Sequence, residues 1–123
     1  MQRMLAPVAD LVPVHTRAQA FEVLERDAAS IDLVICTVAF DESRMIEFLQ
    51  AVKREPAMSS IPFLCIRVLA SVLSDNLIGR LGTVCRDCGA VEMLDIGNLG
   101  GDAAQTALKA AVVKYAAPPA ATP

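Results

Sequence analysis

Two short, almost uninterrupted apolar runs separated by one amphipathic stretch constrain this chain more than any other feature. Leu33, Val34, Ile35, Cys36 and Val38 make the first run, and Ile61, Phe63, Leu64, Cys65, Ile66 and Val68 make the second. Runs that are apolar at successive positions suit strands covered on both faces, as in parallel sheets. Between them the period changes. From Ser43, Met45, Ile46, Leu49 and Val52 recur at helical spacing while Glu47, Gln50, Lys53 and Arg54 take the other side. Pro56 stops that helix, and Pro62 stands at the start of a strand, where a missing N–H is tolerated. Strand, helix, strand is a βαβ unit. The expected fold is therefore α/β, a mainly parallel sheet flanked by helices.

The flanking sequence extends this pattern. Residues 11–14 read as a short strand that Pro13 confines to the sheet edge. Thr16-Arg17-Ala18-Gln19 fits a capping box for a helix with Ala20, Phe21 and Leu24 inward and Arg17, Glu22, Glu25 and Arg26 outward. After the second run, Ser71 or Ser74 caps a helix with a buried stripe of Leu73, Leu77, Leu81, Val84 and Cys88, and with Ile78 and Cys85 beside it. Gly79 and Gly82 weaken this helix, and Gly89 suits its left-handed terminus. Residues 91–94 read as a last strand. A final helix opens at Asp102, with Ala103, Ala107, Leu108, Ala111, Val112 and Tyr115 as its main stripe and Ala104, Ala110, Val113 and Ala116 widening the apolar surface. Residues 1–117 are expected to form one domain and 118–123, rich in Pro and Ala, a disordered tail.

Composition narrows the function classes. In 123 residues, 54% are hydrophobic and 20% charged, which excludes intrinsic disorder, and no apolar stretch reaches membrane-spanning length. Aromatics are only 4%, so the core is expected to rely on aliphatic and small side chains. A net charge of -3 without a Lys/Arg cluster gives no footprint for nucleic acid. No secretion signal precedes Asp10, which implies a cytoplasmic protein with reduced thiols.

Candidate chemistry is sparse. Cys85-Arg86-Asp87-Cys88 is a C-x-x-C, open to a redox or zinc reading, but it closes a helix rather than opening one, and both cysteines continue a buried stripe. The sole histidine, His15, reads as a loop residue. Asp41 and Glu42 precede a helix as dipole or capping residues do. Arg67, at the C-terminal end of a strand, lies where open α/β sheets line their crevice, and is expected either solvated or contacting an anion or partner carboxylate, with Asp41 a second candidate contact. The segment at 97–101 is Gly-rich but fits neither a P-loop nor a dinucleotide fingerprint.

Taken in order, Asp32-Leu33-Val34-Ile35-Cys36-Thr37-Val38 with Ile46-Glu47-Phe48-Leu49, then Ile61-Pro62-Phe63-Leu64-Cys65-Ile66, then Cys88-Gly89-Ala90 leading into Glu92-Met93-Leu94, resemble response-regulator receiver domains. The resemblance runs roughly from Leu11 to Tyr115 and implies a flavodoxin-like architecture, N-terminally truncated, because the family's first strand and most of its first helix have no counterpart. It also implies a lost activity. The acceptor aspartate falls on Thr37, the hydroxyl residue that senses the phosphoryl group on Arg67, and the pairing lysine near Ile96. The Pro and Gly of the following loop fall on Asp41 and Met45. The expectation is a phosphorylation-independent signalling or docking module without enzymatic activity or cofactor, acting as a homodimer or with a signalling partner through a surface of Leu108, Ala111, Val112 and Tyr115. The alternative is a small thiol-redox or metal-binding protein using Cys85 and Cys88.

Overall fold

The computed structural model describes residues 12–68 and 75–116. Helix α1 (Arg17–Asp27) leads through a 3-10 turn (Ala28–Ser30) into strand β1 (Val34–Thr37). A one-turn helix α2 (Phe40–Ser43) and helix α3 (Met45–Arg54) connect to β2 (Phe63–Arg67). Helix α4 (Asp75–Asp87), β3 (Glu92–Asp95) and helix α5 (Gly101–Ala116) complete the order. The strands form one parallel sheet in the order β1-β2-β3. This is the expected α/β class, consistent with a flavodoxin-like arrangement. No helix among the described residues is long and apolar enough to cross a membrane.

One expected strand is not formed. Residues 12–14 are irregular and join no sheet, and Leu11 lies outside the described residues. Pro13 has no N–H to give a ladder, and no strand among the described residues pairs with this segment. The proposed caps Ser71 and Ser74 and the tail at 118–123 also lie outside the described residues.

Strand alternation divides the core in two. Cys36, Phe63 and Cys65 face the layer built by α1, α3 and α4, with Val34 and Met93 packed against it. Leu64 and Ile66 face α5, with Leu33, Ile35 and Leu94 at the margin. The few aromatics are concentrated in the first layer. Phe48 lies 5.3 Å from Phe21, 5.2 Å from Phe40 and 5.7 Å from Phe63 between ring centroids, and so joins α1, α2, α3 and β2. These are all four phenylalanines of the chain, so this layer is more aromatic than its composition implied.

Each helix has a local cause. Thr16 Oγ1 accepts the Gln19 N–H at 3.2 Å, and Gln19 Oε1 accepts the His15 N–H at 2.9 Å, so the box closes one residue earlier than the usual form. The helix expected from Ser43 starts at Met45 and is preceded by a separate turn, the two meeting at Arg44, whose φ of -101° and ψ of 27° are not helical. Helix α4 ends in a Schellman motif: Ala90 N–H reaches the Cys85 carbonyl, Gly89 N–H reaches that of Arg86, and Gly89 has φ 109°. Its buried side is rotated from the expected stripe. Ile78, Gly82 and Cys85 turn inward, whereas Leu77 is 48% and Val84 44% exposed. Gly82 lies on this inward side, where a Cβ would stand 3.4 Å from Met93 Cβ, in van der Waals contact. In α5 the inward positions are Ala104, Leu108, Ala111 and Val112, with Ala103 exposed.

Phe48→Ala should remove the ring that three elements share with α3. A loss of about 3–5 kcal/mol in urea unfolding is expected, with Phe48→Leu costing clearly less.

Candidate functional site

The C-terminal ends of parallel strands form the rim where α/β proteins place their ligands. Here that rim carries Thr37, Arg67 and Asp95, the last residues of β1, β2 and β3. Arg67 and Asp95 are register partners on adjacent strands. Arg67 Nε donates to Asp95 Oδ1 at 2.9 Å and Nη2 donates to Oδ2 at 2.8 Å, a two-pronged ion pair. Asp95 Oδ1 also accepts the Gly97 N–H at 3.1 Å, which fixes the carboxylate from the loop side. The guanidinium is 0% exposed while the Asp95 side chain keeps 32% of its surface. Arg67 is thus neither solvated nor turned outward. It meets a carboxylate of its own chain, and sequence reasoning passed over Asp95 because strand register cannot be read from either segment alone.

Thr37 is partly buried at the end of β1, opposite Ile66. Ile96 is buried, and its N–H donates to the Arg67 carbonyl at 3.0 Å, extending the ladder past Asp95. Thr37, Arg67 and Ile96 are therefore a partly buried hydroxyl, an internally paired cation and a core residue. Among the described residues, no group of three or more His, Cys, Asp or Glu side chains is arranged to hold a metal ion.

Asp41 is not part of that pair. Its Oδ2 accepts the backbone N–H of Arg17 at 2.9 Å and lies 3.4 Å from Arg17 Nε, while Arg17 Nη1 reaches Glu47 at 3.1 Å. Arg17 is the first residue of α1, so Asp41 satisfies an N–H that the helix's first turn leaves open. That backbone bond, helped by the Arg17 and Arg44 charges, holds the Asp41 carboxyl below its usual range against a smaller opposing effect of desolvation.

The cysteines divide between core and surface. Cys36 and Cys65 are register partners, and Cys85 comes down on them from α4; all three are buried. The Cys65 thiol hydrogen-bonds to Cys85, which raises the Cys65 pKa and lowers that of Cys85, while burial raises Cys36. Cys88 is half-buried in a shallow groove of about 480 Å³ with Gln50, Lys53 and Arg54, its sulfur 3.8 Å from Gln50 Nε2. His15 is exposed, as expected.

Three of the four residues expected on a partner surface face inward. Leu108, Ala111 and Val112 are buried against the chain's own sheet, and the partly buried Tyr115 donates its hydroxyl to Glu92 Oε1 at 3.1 Å. On this helix the large apolar side chain turned outward is Val113, 64% exposed.

No protein-family model matches the chain, and no curated protein matches it.

Removing the carboxylate by Asp95→Ala leaves a buried guanidinium without its two-pronged acceptor. The expected loss is about 3 kcal/mol, read from the urea midpoint. For Asp41 the sign follows from linkage. A folded-state pKa below the unfolded one means a contribution that is complete above the usual aspartate value and fades as pH falls through the depressed one. The difference in urea midpoint between wild type and Asp41→Asn should be open at neutral pH and close as the pH drops below about 4.

Proposed function

We propose that this chain is a receiver-like docking module that signals without phosphorylation, in the cytoplasm, through a second copy of itself or a signalling protein. The observation that carries this reading is the Arg67–Asp95 pair. A rim built to take up a phosphoryl group needs a nucleophilic carboxylate and a free cation to meet the transferred charge. In this chain the resemblance places Thr37 at the acceptor position, and the rim's arginine is already held on both prongs by Asp95. A threonine hydroxyl is a far poorer nucleophile towards a phosphodonor without an adjacent base. What the scaffold retains is a set of surfaces.

The thiol alternative draws less support from the same geometry. Of the C-x-x-C pair, Cys85 is sealed in the core and Cys88 opens only to the groove beside Gln50. A catalytic dithiol needs an attacking thiolate that its substrate can reach.

Two measurements on the native protein test the reading together. After incubation with a small acyl phosphate and Mg²⁺, intact mass spectrometry should show no added phosphate; a stable adduct overturns it. Thiol titration should give one faster group, Cys88, and three slow ones; prompt reaction of Cys85 with Cys88, or stoichiometric zinc uptake, favours the thiol protein instead.

A further inference from the structure

All four cysteines of the chain lie along one path from its surface to the middle of its sheet. Cys88 opens to the groove beside α3, where Gln50 Nε2 donates to its sulfur at 3.8 Å and Lys53 and Arg54 complete the lining. Cys85 stands three residues before it. The Cys88 N–H still donates to the Val84 carbonyl at 2.9 Å, so the winding of α4 runs through both cysteines and makes them neighbours on its surface. Beneath Cys85 comes Cys65, whose thiol hydrogen-bonds to it, and beside Cys65 lies its register partner Cys36.

A buried thiol by itself behaves as a small hydrophobe. An accessible thiol backed by a second one is different, because its oxidation ends in a disulfide instead of running on to the irreversible acids. Cys88 supplies the accessible sulfur and Cys85 the sulfur behind it. Helical winding holds Cβ atoms three residues apart at about 5–6 Å, and a disulfide draws them to about 3.5–4.5 Å. That tightening falls where α4 stops. The Cys85 carbonyl accepts the Ala90 N–H at 2.9 Å, and Gly89, at φ 109°, makes the turn between them.

We propose that Cys85 and Cys88 are a peroxide-sensitive pair, closing a reversible disulfide across the last turn of α4 that loosens the Schellman stop leading into β3. The inference goes beyond the docking reading and depends on none of its partners. The Cys88 thiolate attacks one oxygen of a small peroxide; the O–O bond breaks, the other oxygen leaves as hydroxide and is protonated to water, and Cys88 becomes a sulfenic acid. The Cys85 thiolate then attacks the Cys88 sulfur. The S–S bond forms, the S–O bond breaks, and hydroxide leaves with the proton that Cys85 gave up, as a second water. Two thiols are oxidised and one peroxide is reduced. Cys65 is a positioning residue here: its S–H holds the Cys85 sulfur inward in the reduced protein, and closure takes Cys85 out of that contact.

Reduced protein treated with a small excess of hydrogen peroxide, blocked with N-ethylmaleimide under denaturing conditions and digested with trypsin without reductant gives the test. Cleavage after Arg and Lys puts Cys36, Cys65, Cys85 and Cys88 on four separate peptides, with Arg86 dividing the last two. The expected product links Cys85 to Cys88, is reversed by dithiothreitol and leaves Cys36 and Cys65 alkylated. Cys88→Ser should abolish it, and Cys85→Ala should leave a Cys88 sulfenic acid that dimedone captures. Hydrogen exchange on the wild type is independent of how either variant folds: the Gly89 and Ala90 amides should exchange at least about tenfold faster after oxidation. Cys88 carried on to the sulfinic acid with Cys85 still free, a Cys88 link between two chains, or a link from Cys85 to Cys65 each overturns the proposal. A Cys85–Cys88 bond that leaves the Gly89 and Ala90 exchange unchanged overturns the coupling to the helix stop. The docking reading is judged separately on the reduced protein, where maleimide forms no disulfide and should reach Cys88 first.

Discussion

Because β2 is bonded to a neighbour along both edges and covered on both faces, its five residues set the terms for the rest of the molecule. Every position of Phe63–Arg67 is buried. Odd positions must therefore fit the aromatic layer and even ones the α5 layer, apart from the last. Arg67 follows the alternation onto the side of Phe63 and Cys65 but sits at the strand's end, where a buried charge is tolerable only if it finds an opposite one. Asp95, one strand away and in register, supplies it. The parallel register and the ion pair thus depend on each other. Sliding β3 by one residue would separate the two groups and turn its side chains to the wrong faces.

The two faces are not equally provided for. Three helices serve the Phe48 layer, and their contacts are reinforced at the edges by Asp41 on the first turn of α1 and by Lys53, whose ammonium donates to the carbonyls of Ser59 and Ile61 at 3.0 Å each. Among the described residues, the opposite face has α5 alone. That helix spends its apolar stripe on Leu64 and Ile66, the centre of the sheet, and Leu33 and Ile35 on β1 receive only partial cover. The same strand that lacks a neighbour at its edge therefore lacks full shelter on one face. Among the described residues both features trace to the same place, the outer side of β1, which no described strand adjoins.

Much of this was legible in the chain because it depends on local pattern. The runs at 33–38 and 61–68 contain the observed Val34–Thr37 and Phe63–Arg67, and the helix stop at Gly89 follows from a conformation that glycine adopts without Cβ strain. The failures are of another kind. Residues 11–14 have strand-like composition, but a strand exists only by pairing, and residues 12–14 find no strand to pair with among the described residues. Leu77 and Val84 fit a helical stripe as well as Ile78 and Cys85 do. Which stripe turns inward depends on packing between elements, such as Gly82 and Cys85 against the sheet, that no single segment reveals. The stripe on α5 was found, but its inward direction is set by how much apolar sheet it must cover. The rim was misread for the same reason, since Arg67 gains its meaning only when β3 is laid beside β2.

That rim shows how little separates a reactive edge from an inert one on this scaffold. Strand ends collect polar side chains whose backbones are held by the ladder, so any group there is well positioned at no extra conformational cost. Positioning alone does not make chemistry. A guanidinium facing an open crevice attracts an anion, whereas the same guanidinium held on two prongs by Asp95, with the carboxylate fixed by the Gly97 N–H, has its charge met within the fold. An incoming anion would have to compete with an acceptor that is already bound, desolvated on the arginine side and tethered in register. The pair consequently converts the end of the sheet from a binding position into a clasp between β2 and β3.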